Sequence, residues 1–200
     1  KETAHQLGTP ISSLLGWIMV LEENYDSETL NKMNKDVERL KTISERFSKI
    51  GAIPEKKPYK LSSIVDEIVE YMRIRIPSTI EIIVQKKDGE IPINLNKELI
   101  QWVLENMIKN SIDSIEKKGK IKLEINWGGK ANLKISDTGS GIEKELQSKV
   151  FDAGVSTKTR GWGIGLSLTK RIIEKYHKGR IKLLNSSKNG TEFLIEIPIN

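Results

Sequence analysis

The sequence has no cysteine. That excludes disulfides, zinc–thiolate sites and cysteine catalysis, and it is compatible with a reducing compartment. No apolar run approaches the roughly 20 residues of a membrane-spanning helix. That lack says nothing about a parent protein, and the expected location is cytoplasmic, with membrane contact only through segments outside this chain. There is no secretory leader, and the chain starts at Lys1 rather than methionine, so it reads as a fragment. Aromatics are only 6% of residues and no basic run is interleaved with them, so nucleic acid is not an expected partner. Histidine occurs only as His5 and His177.

What is present suits an ordinary globular protein. Two hundred residues, 37% hydrophobic and 30% charged, are enough for one or two domains with a buried core. The net charge of +6 arises wholly beyond residue 57. A diffuse excess like that suits a phosphate-bearing ligand, although most such surpluses are solvated surface.

The first fifty residues carry two heptad patterns. Ala4, Leu7, Ile11, Leu14, Ile18 and Leu21 form one seam, and Leu30, Met33, Val37, Leu40, Ser44 and Phe47 the other. An antiparallel helical hairpin with one apolar stripe per helix has little to bury by itself. Pairing two copies into a four-helix bundle solves that problem, so a homodimer is expected. Residues 51–58, "GAIPEKKP", read as a hinge.

Beyond the hinge, "KLSSIVDEIVEYMRIRI" reads as a helix, and "TIEIIVQ" and "EIPINL" as strands. Asn96 caps a helix running to about Lys117. "KIKLEINW" and "ANLKISD" form a strand pair, Gly165 to about Tyr176 a helix, and "RIKLLNS" and "TEFLIEIP" a hairpin across Asn189-Gly190. The fold class is thus α+β with two domains: the hairpin over 1–50, the linker 51–58, and over 59–200 an α/β sandwich whose mixed sheet is covered by helices on one face.

Two glycine loops stand out, "SDTGSG" (136–141) and "GWGIGL" (161–166). Each alone reads more readily as a tight turn than as a ligand loop. No strand directly precedes Gly161, so the dinucleotide fingerprint lacks its context. "GVSTKTRG" is not a Walker loop. Bare amides before a helix start, with Lys158 and Arg160 upstream, do suit a polyphosphate. In the helix 97–117, Asn106, Asn110 and Asp113 fall at i, i+4, i+7 and share a face. Such an amide stripe is either hydrogen-bonded core or a set of oxygen ligands for magnesium.

"ENMIKNSID", "DTGSG", "VFDAGVSTK" and "GWGIGL" follow one another in an order that resembles the ATP-binding domain shared by sensor histidine kinases, gyrase, the ninety-kilodalton heat-shock chaperone and MutL. The resemblance spans roughly 58 to 198. It implies ATP and Mg2+ as ligand and cofactor, with Asn110 and nearby Asn106 holding the metal and Asp113 on the same face. Asp137 would accept the adenine amino hydrogen, which fits chemistry: guanine presents an oxygen there, and a carboxylate repels it. Gly139 and Gly141 would let backbone approach the base, with Thr191 behind Asp137. Gly161, Gly163 and Gly165 would hinge a lid over the phosphates, and Lys158 would offset their charge.

In gyrase-like ATPases the residue four before the magnesium asparagine is a water-activating glutamate. Here it is Asn106, which cannot take a proton, and Glu105 lies about 100° round the helix. "HQLGTPISSLLGW" in turn resembles the phosphoacceptor box of histidine kinases, matching it at His5, Thr9 and Pro10. His5 lies roughly 130° from the seam centre, so it faces outward, and Gly8, Thr9, Ser12 and Ser13 beside it are small.

The resemblance implies autophosphorylation of His5, transfer to an aspartate on a response-regulator receiver domain, and phosphatase activity aided by Thr9. One departure is Gln6, where the family has an acid; a glutamine oxygen still accepts a hydrogen bond from Nδ1–H and fixes the tautomer. His177, in "KYHKGR", lacks such a context and reads as a surface residue. Two other readings remain: a gyrase- or chaperone-like ATPase clamp, and a kinase-deficient nucleotide-binding phosphatase module.

Overall fold

A computed structural model describes residues 13–22, 30–31, 33–34, 37, 55–156 and 163–199. The chain divides into two compact units, Lys1–Pro54 and Glu55–Asn200.

In the first unit residues 13–22 are helical, as are 30, 31, 33, 34 and 37. Ile18 and Val37 are buried together with Leu15 packed against them, and Asn34 Nδ2 donates to Glu22 Oε1 at 3.2 Å. The heptad positions divide: Ile18, Leu30 and Val37 are buried, while Leu14, Leu21 and Met33 are 40–46% exposed. Ala4, Leu7, Ile11, Leu40, Ser44 and Phe47 lie outside the described residues.

The second unit is built on a five-stranded sheet. In chain order its strands are β2 (Ile80–Lys86), β4 (Gly119–Trp127), β5 (Lys130–Asp137), β6 (Arg180–Ser187) and β7 (Gly190–Pro198), arranged 2-4-5-7-6. β2 pairs with β4 in parallel and every other pair is antiparallel, so the sheet is mixed. Strict alternation explains its sidedness. Ile121, Leu123 and Ile125, then Ala131, Leu133 and Ile135, then Phe193, Ile195 and Ile197 are buried on one face. The opposite face carries ion pairs, among them Lys134–Glu124 at 2.9 Å, Lys134–Glu192 at 3.1 Å and Lys182–Glu196 at 2.7 Å.

Three helical segments cover the apolar face, one of them the stretch from Gly165 that buries Leu168, Ile172 and Ile173. α1 (Leu61–Arg73) buries Leu61, Ile64, Val65, Ile68, Val69 and Met72. Its start is capped from a distance: Ser62 N donates to Glu90 Oε1 at 2.8 Å and Ser62 Oγ to the other carboxylate oxygen. α2 (Lys97–Ser114) begins at Asn96, whose Oδ1 accepts from Leu99 N at 3.0 Å, the expected cap. It ends at Ser114, three residues short of the expected limit.

The strand read from "EIPINL" contracts to β3 (Ile93–Leu95). It stands outside the main sheet, paired with β1 (Lys57–Tyr59), a strand not anticipated from sequence. A short α3 (Lys144–Gln147) precedes α4 (Gly165–Arg171), whose final turn widens into a π-helix, Ile172–Tyr176. Among the described residues no helix is long and apolar enough to cross a membrane.

Candidate functional site

β5 buries Ala131, Leu133 and Ile135, and Asp137 is the next residue in that inward row. Its carboxylate therefore stands where the apolar row ends, between Ile121 on β4 and Thr191 on β7. The last turn of α2 lies against it. Ser111 Oγ donates to Asp137 Oδ2 at 3.0 Å. Gly139 N donates to Oδ1 at 2.9 Å and Thr191 N to the same oxygen at 3.3 Å. Ser114 Oγ sits 3.3 Å from Oδ1 and 2.8 Å from the Ser111 carbonyl, so its one hydrogen is shared between them.

The loop after Asp137 is drawn tight against these groups. Ser140 N donates to the Ser114 carbonyl at 2.9 Å. A side chain at Gly139 would collide with the Ser114 hydroxyl. Gly141 has φ +78°, and a side chain there would strike the Ser187 carbonyl. Ile142 N donates to Ser186 Oγ at 2.8 Å, and that hydroxyl is 3.0 Å from Thr191 Oγ1. Gln147 Nε2 clamps the far side, donating to the carbonyls of Ile142 and Ser186 at 2.8 and 3.1 Å.

The asparagine face of α2 meets the second glycine loop. Asn106 Nδ2 donates to Thr169 Oγ1 at 3.0 Å, and its Oδ1 occupies the space a side chain on Gly165 would need. Asn106 thus grips the start of α4 and turns its carbonyl toward the loop. Asn110 is half-buried and Asp113 exposed. Glu105 is ion-paired with Lys109 at 2.6 Å. Gly154 N donates to the Gly163 carbonyl at 3.0 Å. Phe151 meets Phe193 edge-on, centroids 6.0 Å apart, with Lys170 Nζ 5.8 Å from the Phe151 ring. Among the described residues no three His, Cys, Asp or Glu side chains cluster as a metal site. The oxygen donors offered to a hard cation by the Asn106 and Asn110 side chains are amide carbonyls, which suit magnesium.

The structure corrects His177. It is buried rather than at the surface. Its Nδ1 lies 2.9 Å from the Ile172 carbonyl and its Nε2 accepts from Asn96 N at 3.1 Å. Those two contacts fix a neutral tautomer with the proton on Nδ1. The π-turn is what brings the ring there, since His177 N also reaches the Ile172 carbonyl, five residues back, at 3.2 Å.

Of the residues singled out from sequence, Asp137, Gly139, Gly141 and Thr191 come together at the sheet end. Asn106 meets Gly165 across α2, and Gly163 abuts Gly154. His5, Gln6, Thr9, Lys158, Gly161 and Trp162 lie outside the described residues. Sequence reading missed Ser111 and Ser114. A signal existed for the first: Ser111 falls four residues after Met107 and three after Ile108, within the buried stripe of α2, where an apolar residue belongs.

Residues 95–200 match the family described as histidine kinase-, DNA gyrase B- and HSP90-like ATPase. The chain is 27% identical over 208 residues to the signal transduction histidine-protein kinase AtoS of Escherichia coli, covering 98% of this chain and 34% of AtoS. It is 25% identical to the sensory histidine kinase/phosphatase NtrB of Proteus hauseri, covering 98% of this chain and 60% of NtrB. It therefore spans between a third and three fifths of these relatives. The catalytic domain of histidine kinase ThkA superposes with a TM-score of 0.66 at 29% identity, over 72% of this chain and 96% of that domain. ThkA in complex with the response regulator protein TrrA matches 98% of this chain and 60% of ThkA, at 25% identity and a TM-score of 0.71. The chain belongs to the histidine kinase-, DNA gyrase B- and HSP90-like ATPase family, and its ATP-binding domain is of the sensor histidine kinase kind.

Proposed function

We propose that the unit Glu55–Asn200 binds ATP and presents its γ-phosphate to His5 in the hairpin 1–50, with the hinge expected over 51–58 confined to the part that precedes β1, and that His5 then passes the phosphoryl group to an aspartate of a response regulator. The observation that carries this reading is the Asp137 corner, where a carboxylate is held by several donors yet Oδ2 keeps room to accept another hydrogen. An adenine amino group supplies that hydrogen; a guanine oxygen is repelled. Gly139 and Gly141 keep the loop thin enough for a base to lie against backbone. Gly161, Gly163 and Gly165 hinge the lid, and Lys158 offsets phosphate charge.

Asn110 and Asn106 are the residues that would hold magnesium, with Asp113 on the same face. The Asn106 carbonyl fits this task because its amide nitrogen is already engaged by Thr169. Magnesium, when bound, neutralises charge on the phosphates. Asn106 cannot accept a proton from water, and Glu105 is paired with Lys109, so hydrolysis is slow and the γ-phosphoryl group waits for another acceptor.

His5 Nε2 supplies the lone pair that bonds to the γ-phosphorus as the bond to the bridging oxygen breaks and ADP leaves. Gln6 orients the ring through its amide oxygen, and water removes the Nδ1 proton. Catalysis is mostly positioning and charge neutralisation. The protein works as a homodimer through the apolar residues left exposed on the hairpin, Leu14, Leu21 and Met33. ThkA, solved with a response regulator, supports the choice of partner, and the name of NtrB supports a phosphatase activity, for which Thr9 aligns the water.

Incubation with γ-labelled ATP tests the scheme. The expected result is acid-labile, alkali-stable label on the protein that His5→Ala abolishes. Steady phosphate release independent of His5 would establish the ATPase clamp instead. Regulator dephosphorylation without any labelling of the protein would establish the phosphatase module.

A further inference from the structure

We infer that Ser111 is the positioning residue for purine selectivity: its hydroxyl orients Asp137 Oδ2 so that the remaining lone pair of that oxygen meets an exocyclic amino group. This rests on the nucleotide-binding reading of the Asp137 corner and adds to it the residue that sets the discrimination.

A carboxylate offers about four acceptor positions, two on each oxygen. Oδ1 is crowded by Gly139 N at 2.9 Å, Thr191 N at 3.3 Å and Ser114 Oγ at 3.3 Å. Oδ2 meets one donor among the described residues, Ser111 Oγ at 3.0 Å. The oxygen with an unfilled position is therefore Oδ2, and the group deciding where that position points is Ser111. The two serines are not equivalent. Ser114 divides its hydrogen between Oδ1 and the Ser111 carbonyl, which is the nearer acceptor. The Ser111 hydroxyl has Oδ2 as its acceptor and, inside the buried stripe of α2, is 5% exposed. A helical serine commonly turns its hydroxyl back onto the preceding turn; Ser111 gives its hydrogen to the carboxylate instead.

Without that donor the carboxylate stays pinned at Oδ1 only, and its plane can rock about that end. Hydrogen-bond strength falls steeply off line. A site built to pair one polar group discriminates strongly only while its own group is fixed.

The test is calorimetric titration of the full chain with ATP and with ITP, which carries oxygen in place of the 6-amino group, both with magnesium. The proteins are wild type, Ser111→Ala, Ser111→Thr and Ser114→Ala, each checked for an unchanged melting temperature. Wild type is expected to prefer ATP. Ser111→Ala should weaken ATP about tenfold and leave ITP within twofold, so the preference collapses. Ser111→Thr, which keeps the hydroxyl, should restore the preference, and Ser114→Ala should reduce it less than Ser111→Ala does. Equal loss for both nucleotides in Ser111→Ala, or an intact preference, overturns the inference while leaving nucleotide binding standing. A wild-type chain that binds neither nucleotide, or prefers neither, overturns the reading of the Asp137 corner and this inference together.

Discussion

His177 uses its two ring nitrogens in opposite senses, Nδ1 toward the Ile172 carbonyl and Nε2 as acceptor from Asn96 N. Burial holds its pKa below the ordinary 6.5, and the charge of Lys56 acts the same way against the opposing hydrogen bond to Ile172. Below that ordinary value the unfolded chain binds more protons than the folded one, so stability rises with pH there. The contribution is whole above 6.5 and shrinks as pH falls toward the folded value. Urea midpoints should therefore drop between pH 7 and 5.5, and His177→Gln, which keeps one donor and one acceptor, should flatten that drop. Glu124 sits in a different window. Burial raises its pKa, but Lys134 and Lys122 outweigh burial and hold it below 4.5, so its contribution is lost only at more acid pH. At the other end of the chain, Gln6→Glu supplies a side chain able to take the Nδ1 proton of His5. The initial rate of autophosphorylation should rise, about tenfold or more if proton removal limits transfer; an unchanged rate would count against Gln6 orienting His5 while water removes the proton.

Elements were legible where one face decides their pattern. β4, β5 and β7 alternate because each buries one side, and α2 announces itself by Asn96 and its apolar stripe. β1 was not legible, since three residues including Pro58 carry no period, and it exists through pairing with β3. The π-turn and the burial of His177 were hidden for a similar reason: its partner Asn96 lies 81 residues away. The Asp137 row could be read, whereas the role of Ser111 depends on which helix end meets which strand end. Asn96 concentrates several of these contacts at the start of α2. Its side chain caps Leu99 N and donates to the Glu55 carbonyl at 2.9 Å. Asn96→Ala should cost about 1 to 2 kcal/mol in urea unfolding, whereas Lys134→Met on the ion-paired face should cost under about 1 kcal/mol and less at high salt.

At the scale of the whole molecule the two units differ in how they satisfy their apolar surface. The catalytic unit closes its own core between sheet and helices. The first unit leaves Leu14, Trp17, Met19, Val20 and Leu21 at 40–66% exposure. In the proposed homodimer a second copy covers the two seam positions among them, Leu14 and Leu21, so Leu14→Glu with Leu21→Glu should convert a dimer to a monomer in sedimentation analysis while nucleotide affinity stays within twofold. The β1–β3 pair bears on where the polypeptide can be severed. Ile93 and Leu95 are wholly enclosed, and the antiparallel neighbour of their strand is Lys57–Tyr59. A fragment starting at Glu55 should melt cooperatively at the temperature of the intact catalytic unit. One starting at Lys60 should melt lower and be clipped first by protease near β3, because trimming five more residues strips a strand rather than a tether.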